Sequence, residues 1–68
     1  MNEEALNTSL RKFLKKVGVS SQNEIEKAVA QALADKAING NEKFPATMTL
    51  EVAGIKLNVK FDGTIELE

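Results

Sequence analysis

The spacing of apolar residues changes once along the chain, and that change constrains the fold more than any single motif. From Glu3 to Val17, Leu6, Leu10, Phe13, Leu14 and Val17 fall at steps of three and four, the stripe of an amphipathic helix. A second stripe of the same spacing follows in Ile25, Ala28, Val29, Ala32 and Leu33. From Ala46 onward the period becomes two. Met48, Leu50 and Val52 alternate with Thr47, Thr49 and Glu51, and Ile55, Leu57, Val59 and Phe61 alternate with Lys56, Asn58 and Lys60. Such alternation marks half-buried strands. A chain with this switch builds helices first and a sheet second.

Local signals divide the helical half in two. Asn2 suits an N-cap, and Glu3 and Glu4 stand where the helix dipole favours negative charge. Gly18 offers a left-handed stop, and Ser21 and Glu24 make an S-x-x-E capping box. Helices are therefore predicted over about 3–17 and 22–38, joined as an αα-hairpin, with Asn39-Gly40 ending the second. Strands are predicted over about 46–52, 55–60 and 64–67. A two-residue turn at Ala53-Gly54 pairs Val52 with Ile55, Leu50 with Leu57 and Met48 with Val59, all on one face. A three-residue loop at Phe61-Asp62-Gly63, with Gly63 in a bulge, pairs Val59 with Ile65 and Leu57 with Leu67. Leu67-Glu68 also reads as the junction to an affinity tag. The expected fold is α+β: a single domain over 1–68, ααβββ, a two-layer sandwich with the helical hairpin packed on a three-stranded antiparallel meander.

Composition narrows the chemistry. The 68 residues include no Cys, His, Trp or Tyr. Disulfides, thiolate metal sites and thiol nucleophiles are therefore excluded, and so are imidazole ligands and proton shuttles. Catalysis would rest on Asp, Glu, Lys, Ser or Thr alone, and no carboxylate pair converges: Glu24 and Glu26 diverge on a helix, and Glu51 is expected opposite Lys56. No enzyme activity, metal, cofactor or small-molecule substrate is expected. Asp35 to Asn39-Gly40 grazes a calcium-loop pattern, but its third and twelfth positions fall on Ala37 and Ala46, which cannot ligate. Asn7-Thr8-Ser9 has the glycosylation spacing but lies inside a helix. No apolar run is longer than Ala28-Val29-Ala30, and the acidic Met-Asn-Glu-Glu start has no signal-peptide core. A cytoplasmic chain with no membrane partner is expected.

The stretch Ser9-Leu10-Arg11-Lys12-Phe13-Leu14-Lys15-Lys16-Val17-Gly18-Val19-Ser20-Ser21-Gln22, continuing through Glu24-Ile25-Glu26-Lys27-Ala28-Val29, resembles a family of short bacterial proteins of unknown function. The shared pattern is R-K-F-L-K-x-V-G-V-[ST]-S-Q, with an acidic N-terminus before it and a strand pair after Thr47. The resemblance implies bacterial origin and a one-domain protein, and it brings no activity, cofactor or site residue.

Two surfaces remain as places where the chain could act. Arg11, Lys12, Lys15 and Lys16 lie opposite the first apolar stripe, within residues 1–20, which carry four positive and two negative charges, while residues 21–68 net −3. Such a face suits a nucleic acid or an acidic partner. The bland alternative is the solvated face every amphipathic helix needs. The bland reading is favoured because a nucleic-acid footprint usually makes the whole domain basic, whereas this chain's net charge is −1. A helix-turn-helix reader is disfavoured as well, since Glu24 and Glu26 follow Gln22 and Asn23 at the start of the second helix and would repel phosphate. The other surface is the edge of the sheet. The first strand, with Thr47, Thr49 and Glu51, has one charge and an open backbone ladder, which accepts another strand from a protein partner or a second copy. A non-catalytic binding or assembly module, self-associating or using a protein partner, is therefore expected. Binding of a nucleic acid or acidic partner through the basic face is the alternative.

Overall fold

The computed structural model describes all of residues 1–68 and contains one long helix and one hairpin. The helix α1 spans Glu3–Ala34, the strands β1 and β2 span Lys43–Val52 and Leu57–Glu66, and a short 3-10 turn at Ala53–Ile55 joins them. Met1–Asp35 and Lys36–Glu68 are two compact units, described separately below.

The expected break at Gly18 is absent: α1 runs 32 residues without interruption, about 48 Å at 1.5 Å per residue. Asn2 caps it as expected, its Oδ1 accepting from the Ala5 N–H at 3.0 Å, with Glu3 and Glu4 in the first turn. Within a helix, a glycine costs only about 1 kcal/mol relative to alanine. Against that stands the row Phe13, Val17, Ser21, Ile25, stepping by four across the supposed turn, together with the good helix formers Lys15, Lys16, Gln22 and Glu24 around it. The S-x-x-E pair, read as a capping box, is simply one turn of helix interior. The C-terminal end comes at Ala34, earlier than expected. There the Asp35 N–H still reaches the Gln31 carbonyl at 2.9 Å and Lys36 takes a left-handed φ of 60°.

The sheet has two strands, not three. Val52 pairs with Leu57, Leu50 with Val59, Met48 with Phe61, Ala46 with Gly63 and Phe44 with Ile65. The register is displaced by two residues from the expected one, so the parity survives and the partners change. The cause is the turn: residues 53–56 form a four-residue loop around a 3-10 turn, closed by the Lys56 N–H to the Ala53 carbonyl at 3.1 Å and by Lys56 itself in the left-handed region at φ 55°. Ile55 consequently lies in the turn and is 72% exposed.

Asp62-Gly63, expected to turn the chain again, sits in mid-strand opposite Thr47 and Ala46. Continuing β2 straight through them also brings Ile65 opposite Phe44 and Glu66 opposite Lys43, pairs that a bulged loop at Phe61-Asp62-Gly63 would forgo. The segment 64–67 is thus the far end of β2, and the Leu67 N–H extends the ladder to the Glu42 carbonyl at 3.0 Å. The ααβββ sandwich is replaced by a helix followed by a β-hairpin.

Candidate interaction surfaces

The hairpin is sorted by face. Phe44, Ala46, Met48, Leu50 and Val52 of β1 share one face with Leu57, Val59, Phe61, Gly63 and Ile65 of β2, as the register and the two-residue period require. The opposite face carries Lys43, Pro45, Thr47, Thr49 and Glu51 against Asn58, Lys60, Asp62, Thr64 and Glu66. Cross-strand hydrogen bonds knit it: Thr47 Oγ1 donates to Asp62 Oδ1 at 3.1 Å, and Asn58 Nδ2 to Glu51 Oε2 at 3.3 Å. Thr47, Thr49 and Glu51, the strand-edge residues singled out from the sequence, therefore lie together on the polar face, Thr49 opposite Lys60. With two strands only, both β1 and β2 have an outer backbone edge.

No side chain of the chain is buried. Phe44, Ala46, Leu50, Leu57 and Ile65 are half-buried, while Met48, Val59 and Phe61 on the same face stand 44%, 38% and 57% exposed. A two-stranded sheet with an apolar face this open is marginally stable at best on its own in water.

The helix has the same property. Leu6, Leu10, Phe13, Leu14, Ile25 and Leu33 are 38–57% exposed. The pattern Leu10, Phe13, Leu14, Val17 recurs fifteen positions on as Ile25, Ala28, Val29, Ala32. Fifteen residues are four turns plus about 60°, so the second half of the stripe is rotated by that much from the first. Neither segment-wise reading of the sequence brings out this recurrence; it becomes visible once the helix is known to be continuous. Between the two groups lies Gly18, where an added Cβ would meet nothing within 4 Å.

The basic residues Arg11, Lys12, Lys15 and Lys16 all sit on α1 and are exposed. None is in an ion pair; the structure's one salt bridge joins Lys27 Nζ to Glu24 Oε1 at 3.8 Å, with both side chains about three-quarters exposed, a contact of little energetic weight. Thr47, Thr49 and Glu51 belong to the other unit. A shallow surface depression along the start of α1, lined by Asn2, Glu4, Ala5, Thr8, Ser9 and Lys12, is open to solvent.

One carboxylate is clearly perturbed. Glu42, just before β1, accepts backbone N–H bonds from Asn39 at 2.8 Å, Gly40 at 2.8 Å and Asn41 at 3.1 Å. These bonds, the one from Asn39 foremost, hold its pKa below the ordinary carboxylate value, against the opposing effect of desolvation. The loop is tied by its own side chain, a structural role that sequence reasoning missed. Its signal was the Asn39-Gly40-Asn41 run preceding an acid. No group of three or more acidic side chains gathers in a metal-binding arrangement, and no helix is long and apolar enough to cross a membrane.

Residues 1–68 match the model of a family of unknown function, DUF6494. The chain belongs to that family. No curated protein and no solved structure matches it. The family assigns no activity, so the surfaces themselves carry the functional argument.

Proposed function

We propose that the chain is a non-catalytic assembly module that acts by covering its apolar surfaces against a protein partner. One observation carries the reading: every large apolar side chain of the helix stripe and the hairpin face is open or only half-covered, and no residue is buried. A domain this small needs an unusually well-filled core or an external staple to be stable. With neither Cys nor His in the sequence, association is the remaining source of stability. The two free backbone edges of the hairpin, with Thr47, Thr49 and Glu51 along β1, offer strand addition as a further contact.

Hydrogen exchange and thermal melting of the isolated chain at high dilution test this reading. Under these conditions, weak amide protection and a broad melt are expected, both sharpening when the partner surface is supplied. A monodisperse monomer with strongly protected amides and a sharp melt would refute it.

A further inference from the structure

We propose that the partner surface for α1 is a second copy of the same helix, running antiparallel and crossing near residues 18–21. This deepens the assembly reading and rests on it.

Leu6 and Leu33, Leu10 and Val29, and Leu14 and Ile25 are each symmetric about position 19.5. A twofold axis through that point sets each residue against the other's counterpart in the second copy, leucine against an aliphatic side chain in every case. On the same face Phe13 of one copy meets Ala28 of the other, large against small. The midpoint is flanked by Gly18 and Ser21, the small residues that let two backbones approach. In the single chain nothing occupies the space that a Cβ at Gly18 would take. A mid-helix glycine with no neighbour of its own is accounted for by a neighbour from outside.

Charge fixes the direction. Residues 3–18 of α1 carry Glu3 and Glu4 against four cations, and residues 19–34 carry Glu24 and Glu26 against Lys27. Parallel copies would set basic half beside basic half; antiparallel copies set each basic half beside an acidic one. At about 100° per residue, Lys16 lies about 110° to one side of the centre of its stripe, and Glu24 lies about 90° to the same side of its own. Arg11 and Glu26 each lie about 110° to the other side. A twofold axis across the pair brings like-sided flanks together, so Lys16 faces Glu24 of the second copy and Arg11 faces Glu26. Both pairings have midpoints within about one residue of the apolar one. Lys12, Lys15 and Lys27 point away from the seam. Within the chain Glu26 accepts only from Gln22 Nε2, at 3.0 Å, and Glu24 has only the loose, exposed contact with Lys27, so both carboxylates are free to be shared.

The test is charge exchange followed by sedimentation velocity and native mass spectrometry on the full chain. The first variant is Arg11→Glu with Lys16→Glu; the second is Glu24→Lys with Glu26→Lys. The unaltered chain is expected at twice 7.4 kDa at micromolar concentration. Each variant alone should associate about tenfold or more weakly, since all four interhelical pairs become repulsive. Mixing the two should restore a heterodimer, because every pair is then attractive again. A dimer indifferent to both variants would overturn the antiparallel seam. A chain that is monomeric and melts broadly would overturn the second copy as occupant while leaving the assembly reading standing. A monomer that melts sharply would overturn both.

Discussion

Leu14→Ala is the most direct probe of the helix seam, because its effect can be worked out before the experiment. Leu14 is 57% exposed in the chain. Full burial of a leucine side chain is worth about 1.5–3 kcal/mol, so closing the open fraction yields about 0.9–1.7 kcal/mol per copy. A twofold seam counts it twice, and alanine retains part of the contact. The expected loss is about 1–2.5 kcal/mol per dimer, roughly 5- to 60-fold in Kd. The isolated helix should not suffer, since alanine is the best helix former. Val19 supplies the control. It is 54% exposed, nearly as open and also apolar, but it projects from the opposite side of α1, so Val19→Ala should leave association unchanged. Dilution series by sedimentation equilibrium read both. Equal weakening by the two substitutions would show that association is unspecific, and no weakening by Leu14→Ala would refute the seam.

Three further outcomes follow from local structure. Gly18→Ala should act in opposite directions: helicity at high dilution rises, by about 1 kcal/mol in helix stability, while self-association weakens, which circular dichroism and sedimentation separate. Lys56→Gly should stabilise the hairpin by up to about 1 kcal/mol, since a left-handed non-glycine residue costs about 1–2 kcal/mol and glycine returns part of that as chain entropy; thermal melting monitored at β1 and β2 resonances checks it. Glu42 has a lowered folded-state pKa, so its contribution is present above the unfolded carboxylate value and is lost as pH falls through the folded one. A pH titration of amide exchange at Asn39, Gly40 and Asn41 should show the loop opening in that acid window, and Glu42→Gln should abolish the pH dependence.

What the sequence makes legible is face and period, and what it hides is continuity. The alternation along Phe44–Val52 and Leu57–Ile65 places the large apolar side chains of both strands on one side under the expected turn and the observed one alike, because a register shift of two leaves the parity unchanged. The choice between turns rests on a few residues: Lys56 accepts a positive φ that glycine would be expected to supply, while Gly63 spends its freedom in an ordinary strand. Arg11, Lys12, Lys15 and Lys16 are exposed on a helix and Thr47, Thr49 and Glu51 line one polar face, since both follow from period alone. Glu42 escaped notice because its role depends on three backbone amides folding back onto it, which no periodicity encodes.

Two arrangements share the apolar pattern on either side of Gly18. A helical hairpin turned at residues 18–21 and two unbroken helices crossed at the same point would bury the same pairs, Leu10 against Val29 and Leu14 against Ile25, once within a chain and once between chains. The apolar pattern is therefore indifferent to the two, and only the cost of the turn decides between them, as in domain swapping. Val19→Pro should shift that balance. Proline in a helix interior costs about 3 kcal/mol, and it does so in the unbroken helix alone, because in a hairpin residue 19 lies in the connection. The variant is expected to sediment near 7.4 kDa with most of its helicity retained, its two halves now pairing within one chain. A Val19→Pro chain that becomes monomeric only by losing its helix altogether would show that the two halves have no antiparallel affinity for one another and would remove the basis for the seam, whereas one that stays dimeric would show that the turn at 18–21 costs more than the proline.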